Sequence, residues 1–519
     1  MVKIGFLFGA GAEVPYNMPT GGTFALDIFR QDSSESKDEF KKMREQINSN
    51  TAYATEWLPQ GYDEKNIFVF GKSVFENIIK DTVEHNRDKI INSLTNLDGL
   101  SLRTIKKIET TNNEIDINET FEKILSQPID NVSCAQDIRL KTQFHEGDAL
   151  FQSHYFSALL LIYKSANQSS YKGELGQIIV SILQLLLGSL GENLARQIND
   201  SPFDKKDDEI DLFDDLGELF QLNYSFAGVS GLRYLFERKD RYPSLDSDDD
   251  IILFFAETLL ESIFADVLDY KTLIDSYWHY LYCPKLEWSK FCKISIFLLT
   301  VRNYIKKQCG KINNCSTGYY DDLVECLEKN IEITAIATTN YTDLIKNKVP
   351  DKLRNQIYFL NGYTEQWYDP YINRIGPKED LNCEEKHFLV PLLFTQSGTK
   401  PMTSIFMSKA YVSVFEEFKN ADAICSVGFG FNSDDEHING IIRELINSGK
   451  QLIVVTPNHN QDKSQVARNL VKKLKLTKSS NIHVILVNKE RKGTSDFWID
   501  EIKNIVKDIN DKEKSKIHA

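Results

Sequence analysis

The chain has 519 residues, enough for roughly three domains of ~100–200 residues each, and is 41% hydrophobic, 26% charged and 11% aromatic. That balance excludes collagen-like, coiled-coil and largely disordered chains. The formal net charge of -14, from 61 Lys and Arg against 75 Asp and Glu, opposes a phosphate-coating surface, so direct nucleic-acid binding is not expected.

Residues 3–8 are apolar and aromatic and read as a strand, Gly9-Ala10-Gly11 as a turn, and residues 23–30 as a helix, together half of a nucleotide-binding βαβ unit. The apolar stretch ahead of the glycines is too short for a secretory signal, and a cytoplasmic location is expected. Residues 31–330 change character. Segments 74–89, 151–165, 175–198, 251–282 and 289–307 repeat apolar residues at three- and four-residue spacing and read as helices. The longest apolar run, 178–190, is interrupted by Ser181, Gln184, Gly188 and Ser189 and falls short of the ~20 residues of a bilayer span, so it reads as a buried helix and no membrane segment is expected. The acidic runs 204–215 and 246–250 read as solvated loops, because neither has the Gly and terminal Glu of a calcium loop. Eight cysteines are too sparse for a disulfide scaffold and none forms a C-x-x-C pair, so reduced thiols and no metal are expected.

From residue 331 the pattern returns to β-rich runs, at 333–338, 356–360, 424–431, 451–456 and 482–487, alternating with helical stretches at 407–418, 438–448 and 495–506. With the first strand, this alternation predicts an α/β fold: a Rossmann-like doubly wound parallel sheet with a large all-α insertion after the first β-α unit. The domain reading is a discontinuous sheet domain at 1–30 and 331–510, a helical insertion at 31–330 and a charged tail at 511–519. Insertions of this size serve as lids, substrate-selecting walls or oligomerisation surfaces.

Four segments carry the chemistry. A strand followed by Gly9-Ala10-Gly11 lets backbone approach a pyrophosphate, or is simply a tight turn; it is neither a Walker loop nor a full G-x-G-x-x-G, which disfavours P-loop ATP hydrolysis. The segment GAGAEVPYNMPTG places Pro19 eight residues after Gly11. AIATTNYTDLI ends a predicted strand with Thr338-Thr339-Asn340-Tyr341-Thr342-Asp343. Val427-Gly428-Phe429-Gly430-Phe431-Asn432 runs into Ser433-Asp434-Asp435-Glu436-His437-Ile438-Asn439, and Val454-Val455-Thr456-Pro457-Asn458 ends a further strand. In this order, at the strand ends where such sheets bind ligands, the four resemble the sirtuin (SIR2-like) family over residues 1–30 and roughly 331–490; the helical middle carries no such resemblance.

The resemblance implies NAD+ as substrate and cleavage of its nicotinamide–ribose bond. That bond breaks through an oxocarbenium-like state, so the pocket must shield the ribose and place a nucleophile on its opposite face. Asn340 matches the asparagine that positions the sugar and the attacking water, an amide being able to donate and accept while neutral. The binding set implied is Gly9, Ala10, Gly11, Glu13, Pro19, Thr20, Thr339, Asp343, Gly362, Gly428, Phe429, Gly430 and Asn458. Where sirtuins place a catalytic His before Gly, this chain has Asn361-Gly362, and Asn is no base near neutral pH. His437, beside Asp434, Asp435 and Glu436, is the leading substitute and His154 the second. Glu13 replaces a small hydroxyl residue and Thr20 an acid. Residues 390–401 and the helix start at 408–411 read as pocket walls or as surface.

Lacking a four-cysteine zinc module, the chain resembles bacterial antiphage effectors that destroy NAD+ during abortive infection. Such effectors, often homo-oligomers, are held inactive until a partner or phage component reorganises the assembly, and some act with a HerA-type hexameric ATPase; the resemblance thus implies a homo-oligomer with such an ATPase or a phage-derived activator as partner. Two other readings stay open: a module that senses NAD+ or an ADP-ribose derivative, and a protein deacylase or ADP-ribosyltransferase.

Overall fold

A computed structural model describes residues 2–517 apart from 20, 112–114, 136, 139–148, 167–168, 191–208, 212, 214–220, 224–228, 238–244, 266, 269–270, 313–315, 382–384, 394–403, 459–461 and 495. The chain divides into two compact units, one of residues 1–20, 31–70 and 271–519, the other of residues 21–30 and 71–270. Residues 31–70 and 271–330, placed with the insertion by sequence, thus group with the sheet, and residues 21–30, placed with the sheet, group with the second unit.

The first unit is built on six parallel strands: β1 (Val2–Phe8), β2 (Ile331–Thr338), β3 (Ile357–Phe359), β4 (Ala423–Val427), β5 (Gln451–Pro457) and β6 (Ile482–Val487). Their order across the sheet is β6-β5-β4-β1-β2-β3, the 3-2-1-4-5-6 order of a Rossmann-like sheet, which reverses direction between β1 and β4. Phe8 lies level with Thr338 and Val427, and Thr338 with Phe359, so the loops after β1, β2, β3 and β4 open at one edge.

Alternation along the strands fills two cores. Ile4, Phe6 and Phe8 face one side, with Trp498, Ile499, Ile502 and Val506 of the helix Trp498–Ile517. Leu7 faces the other, with Phe418, Ile442 and Leu470 from the helices Ile405–Asn420, Glu436–Asn447 and Lys463–Lys473. Gly5 lies directly against the Phe418 ring, where a Cβ has no room. On the first side the Trp498 indole meets Phe6 edge-on and donates to Asp322 at 2.8 Å, while Arg491 grips the same carboxylate at 2.6 and 2.9 Å. This buried knot fixes residues 316–322 against the sheet.

Several expectations need correction. β4 stops at Val427 rather than 431, because Gly428 (φ 65°) and Phe431 (φ 49°) take left-handed backbone that ends a strand. The helix Trp498–Ile517 runs through the start of the expected tail, a stretch free of Gly and Pro. In a three-stranded antiparallel sheet of Trp367–Asp369, Arg374–Gly376 and Val390–Pro391, the first two strands have no counterpart among the expected strands, and the third opens the stretch expected as a pocket wall.

The second unit is mainly helical, but not all-α: Glu209–Asp211 pairs antiparallel with Gln221–Asn223. The second acidic run is no loop, since Asp248, Asp249 and Asp250 form the first turn of the helix Asp248–Ala265, where carboxylates favour the dipole and Ser247 caps the Asp250 N–H. Most of the first acidic run lies outside the described residues. The apolar run belongs to the helix Ser169–Leu190, which by length and composition is apolar enough to cross a membrane, contrary to the sequence estimate; 72% of its apolar window is buried inside the protein.

Candidate functional site

The loops after β1, β2 and β4 meet at the strand-order reversal. Gly9 donates its N–H to the Val427 carbonyl at 3.0 Å and Gly11 to the Gly428 carbonyl at 2.9 Å. A Cβ on Gly11 would sit 2.8 Å from the Gly428 Cα, and one on Gly428 would strike the Ala12 nitrogen. The glycines are therefore required by backbone packing against backbone, and the Gly9 and Gly11 N–H groups serve protein carbonyls. The chain continues from Gly9 into a seven-residue 3₁₀ helix, Ala10–Tyr16, with Ala10 exposed. Pro19 lies half-exposed in the loop beyond, and Thr20 is outside the described residues.

At the end of β2, Thr339 donates its N–H to Phe8 at 3.0 Å. The Asn340 side chain, buried at 6% exposure, donates to the Gly9 carbonyl at 3.0 Å and to the Tyr320 hydroxyl at 2.8 Å. Asn340 thereby ties the β2 loop to the glycine turn. Tyr320 in turn donates to Glu13 Oε1 at 3.0 Å, which also accepts from Thr342 Oγ1 at 2.5 Å. Glu13 is 4% exposed. Burial pushes its carboxyl up to about 7, against hydrogen bonds from Thr342, Tyr320 and Asn340 that lower it, while the Asp343 charge adds to the rise. Burial, then the Glu13 charge, hold the Tyr320 phenol well above its ordinary range, so it remains a donor.

Tyr320 is held by its neighbours. Its ring stacks on Tyr16 with centroids 5.5 Å apart and meets Phe8 edge-on at 5.1 Å. Tyr16 donates to Asp321 at 2.7 Å and accepts the Tyr320 N–H at 3.1 Å. Asp343 is half-buried and precedes the short helix Leu344–Lys348.

The other expected residues are spread along the same edge. Asn361 is fully buried and donates to the Thr339 carbonyl at 3.2 Å, so it braces the peptide leading into Asn340. Gly362 comes next at φ 76°, against the Leu392 carbonyl. His437, half-buried in the first turn of its helix, meets the Tyr411 ring edge-on at 5.7 Å, and Tyr411 donates to the Leu360 carbonyl at 2.6 Å. Those contacts link it through Tyr411 to the loop carrying Asn361, and it takes no part in the hydrogen bonds joining Asn340 to Glu13. Phe429 is buried against Phe431, Gly430 is exposed with its carbonyl taken by Lys473, and Asn458 is exposed with its N–H on Val487. Residues 394–401 of the expected pocket wall lie outside the described residues.

In the helical unit, His154 opens the helix His154–Ser165 with Nδ1 2.9 Å from the Val132 carbonyl and its N–H on Asp98, the arrangement of a helix start. Among the described residues no group of three or more His, Cys, Asp or Glu is placed to hold a metal.

Sequence reasoning misses Tyr320 and underuses Thr342. Thr342 stands inside the TTNYTD segment. Tyr320 belongs to Ser316-Thr317-Gly318-Tyr319-Tyr320-Asp321-Asp322, whose aromatics and acids just ahead of β2 are the available signal. Compared with known proteins, the chain matches no protein-family model and no curated sequence.

Proposed function

We propose that this chain is a NAD+ hydrolase cleaving the nicotinamide–ribosyl bond, with a sirtuin-like site at the β1/β2/β4 loop edge. The observation that carries the reading is the Asn340 amide, buried at a strand end and bonded to the Gly9 carbonyl, which joins two of the four motifs where Rossmann-like sheets bind ligands. Nδ2 donates to Gly9 and Tyr320, and this reading assigns the amide's acceptor, Oδ1, to the attacking water. As the glycosidic bond breaks, its electron pair passes to nicotinamide, and water held by Asn340 captures the ribosyl cation. Asn361 acts one step removed, fixing the Thr339–Asn340 peptide.

The wider reading is a cytoplasmic effector that depletes NAD+ in antiphage abortive infection. An unregulated enzyme of this kind poisons its own cell, so activation is assigned to an assembly change in a homo-oligomer, with a HerA-type ATPase or a phage-derived activator as partner. The test is nicotinamide release from NAD+ by the full chain and by Asn340→Ala: release by the parent and loss in the variant support the reading, and equal release removes Asn340 from it. A second reading, a NAD+ or ADP-ribose sensor, draws on the absence of an imidazole at Asn361; binding without nicotinamide release in any assembly state selects it.

A further inference from the structure

Glu13, expected from the resemblance as a binding residue, is a buried ionisable group to which the hydrolase reading gives no catalytic task. Three elements converge on it: its own 3₁₀ helix, the loop after β2 through Thr342 and Asn340, and the 316–322 segment through Tyr320. A carboxyl buried for stability needs a basic partner, because an unpaired buried charge is costly. Among the described residues, the groups that stabilise Glu13 are instead two hydroxyls and an amide, and the charge acting on it is Asp343, of its own sign. The titratable groups facing it among the described residues are Tyr320, Asp343 and Cys309, the last at the end of the helix Trp288–Cys309. Such an arrangement disfavours the fold and suits proton transfer. Asn340, Tyr320 and Glu13 form a continuous chain of hydrogen bonds, at 2.8 and 3.0 Å.

We propose that Glu13, relayed by the Tyr320 hydroxyl, takes the proton from the water that captures the ribosyl cation. The inference rests on the hydrolase reading and gives the work of the missing imidazole to the glycine-turn helix rather than to His437. The bond between the ribose carbon and the nicotinamide nitrogen breaks with its electron pair on nicotinamide, and the water oxygen bonds to that carbon. The water proton moves to the Tyr320 oxygen as the phenolic proton moves to the Glu13 carboxylate. Glu13 then returns the proton to solvent, so NAD+ and water give ADP-ribose, nicotinamide and one proton. A carboxyl held near 7 is ionised in about half of the molecules at neutral pH and suits such a base.

The experiment measures nicotinamide release by the full chain between about pH 5 and 9, for the parent, Glu13→Gln and Tyr320→Phe. The expected parental kcat rises with pH through about 7. Glu13→Gln should lower kcat by ~10²-fold or more and flatten that limb while KM changes little, general-base help contributing ~10²–10⁴-fold. Tyr320→Phe leaves the carboxyl in place and should lower kcat comparably, which keeps the test decisive if the Gln variant fails to fold. A Gln variant with the parental rate and pH limb overturns the role of Glu13 and leaves the hydrolase reading standing; parental kcat in Tyr320→Phe overturns the relay. A parent that releases no nicotinamide at any pH, with or without an activating assembly, overturns the hydrolase reading and this inference with it.

Discussion

Replacing Glu13 by Gln should change how folding stability depends on pH, whatever the chain catalyses. In the folded protein the carboxyl titrates at about 7, against an ordinary value of 4.5. Between those values the native state keeps a proton that the unfolded chain has released. The proton-linked stability is therefore complete below pH 4.5 and is lost as pH rises to about 7. At 1.36 kcal/mol per pH unit, that displacement corresponds to about 3 kcal/mol. Gln is a neutral amide of the same shape, can still accept from Thr342 and Tyr320, and has no proton to lose. Urea unfolding of parent and variant at pH 4.5, 5.5, 6.5 and 7.5, read as the difference between the two at each pH, measures the effect. The difference should be small at pH 4.5 and should grow by ~2–4 kcal/mol in favour of Gln by pH 7.5. A difference independent of pH would show that Glu13 titrates normally and that its burial does not shift the carboxyl.

Other perturbations test other parts of the site. Asn340→Ala should remain folded but lose ~1–3 kcal/mol, because it strips a donor from the buried Gly9 carbonyl; thermal melting measures this beside the activity loss. Gly11→Ala should cost ~1–3 kcal/mol through overpacking against Gly428, with a lowered melting temperature even without ligand. Burial alone would lower the His387 imidazole, but the hydrogen bond and charge of buried Asp369, 2.7 Å away, outweigh it and with Glu385 hold it above its usual 6.5. The stability from this pair is complete below pH 6.5 and is lost as pH rises through the folded value, so Asp369→Asn should destabilise most at low pH, with the His387 ring titrating lower by NMR. Acyl-peptide turnover should be undetectable by mass spectrometry, since Asn361 has no basic nitrogen and its amide faces the Thr339 carbonyl.

The sheet is legible in the sequence because its strands are short apolar runs punctuated by glycine and asparagine, and each of the six appears within a few residues of its expected span. Strand ends are less so: nothing in the apolar stretch 424–431 announces that Gly428 turns left-handed against the first loop, a fact of tertiary packing. The site divides in the same way. Asn340 and the glycine turn stand in recognisable segments and do meet. Tyr320 sits only 20 residues before Asn340 in sequence, yet its place depends on the Asp322–Arg491–Trp498 knot, whose partners lie about 170 residues apart. The meaning of Glu13 is hidden for a related reason. By sequence Glu13 is only a binding residue standing where a small hydroxyl is usual, and its burial becomes visible only when two hydroxyls from distant segments close over it.

The position of β1 sets a problem of timing. It is a central strand, hydrogen-bonded on one side to β2 and on the other to β4, yet roughly 320 residues separate its end from the start of β2. At ~5–20 residues per second, a ribosome needs roughly 16–64 s to make the first partner, and longer for the second. Throughout that interval VKIGFLF, with a single charge, has both edges open. It is then the kind of segment that pairs with other chains or recruits a hydrophobic-binding chaperone. Closing so long a loop also places the sheet late in folding, after local helix formation. Yield of soluble protein should therefore depend on synthesis rate and chaperone supply more than on equilibrium stability.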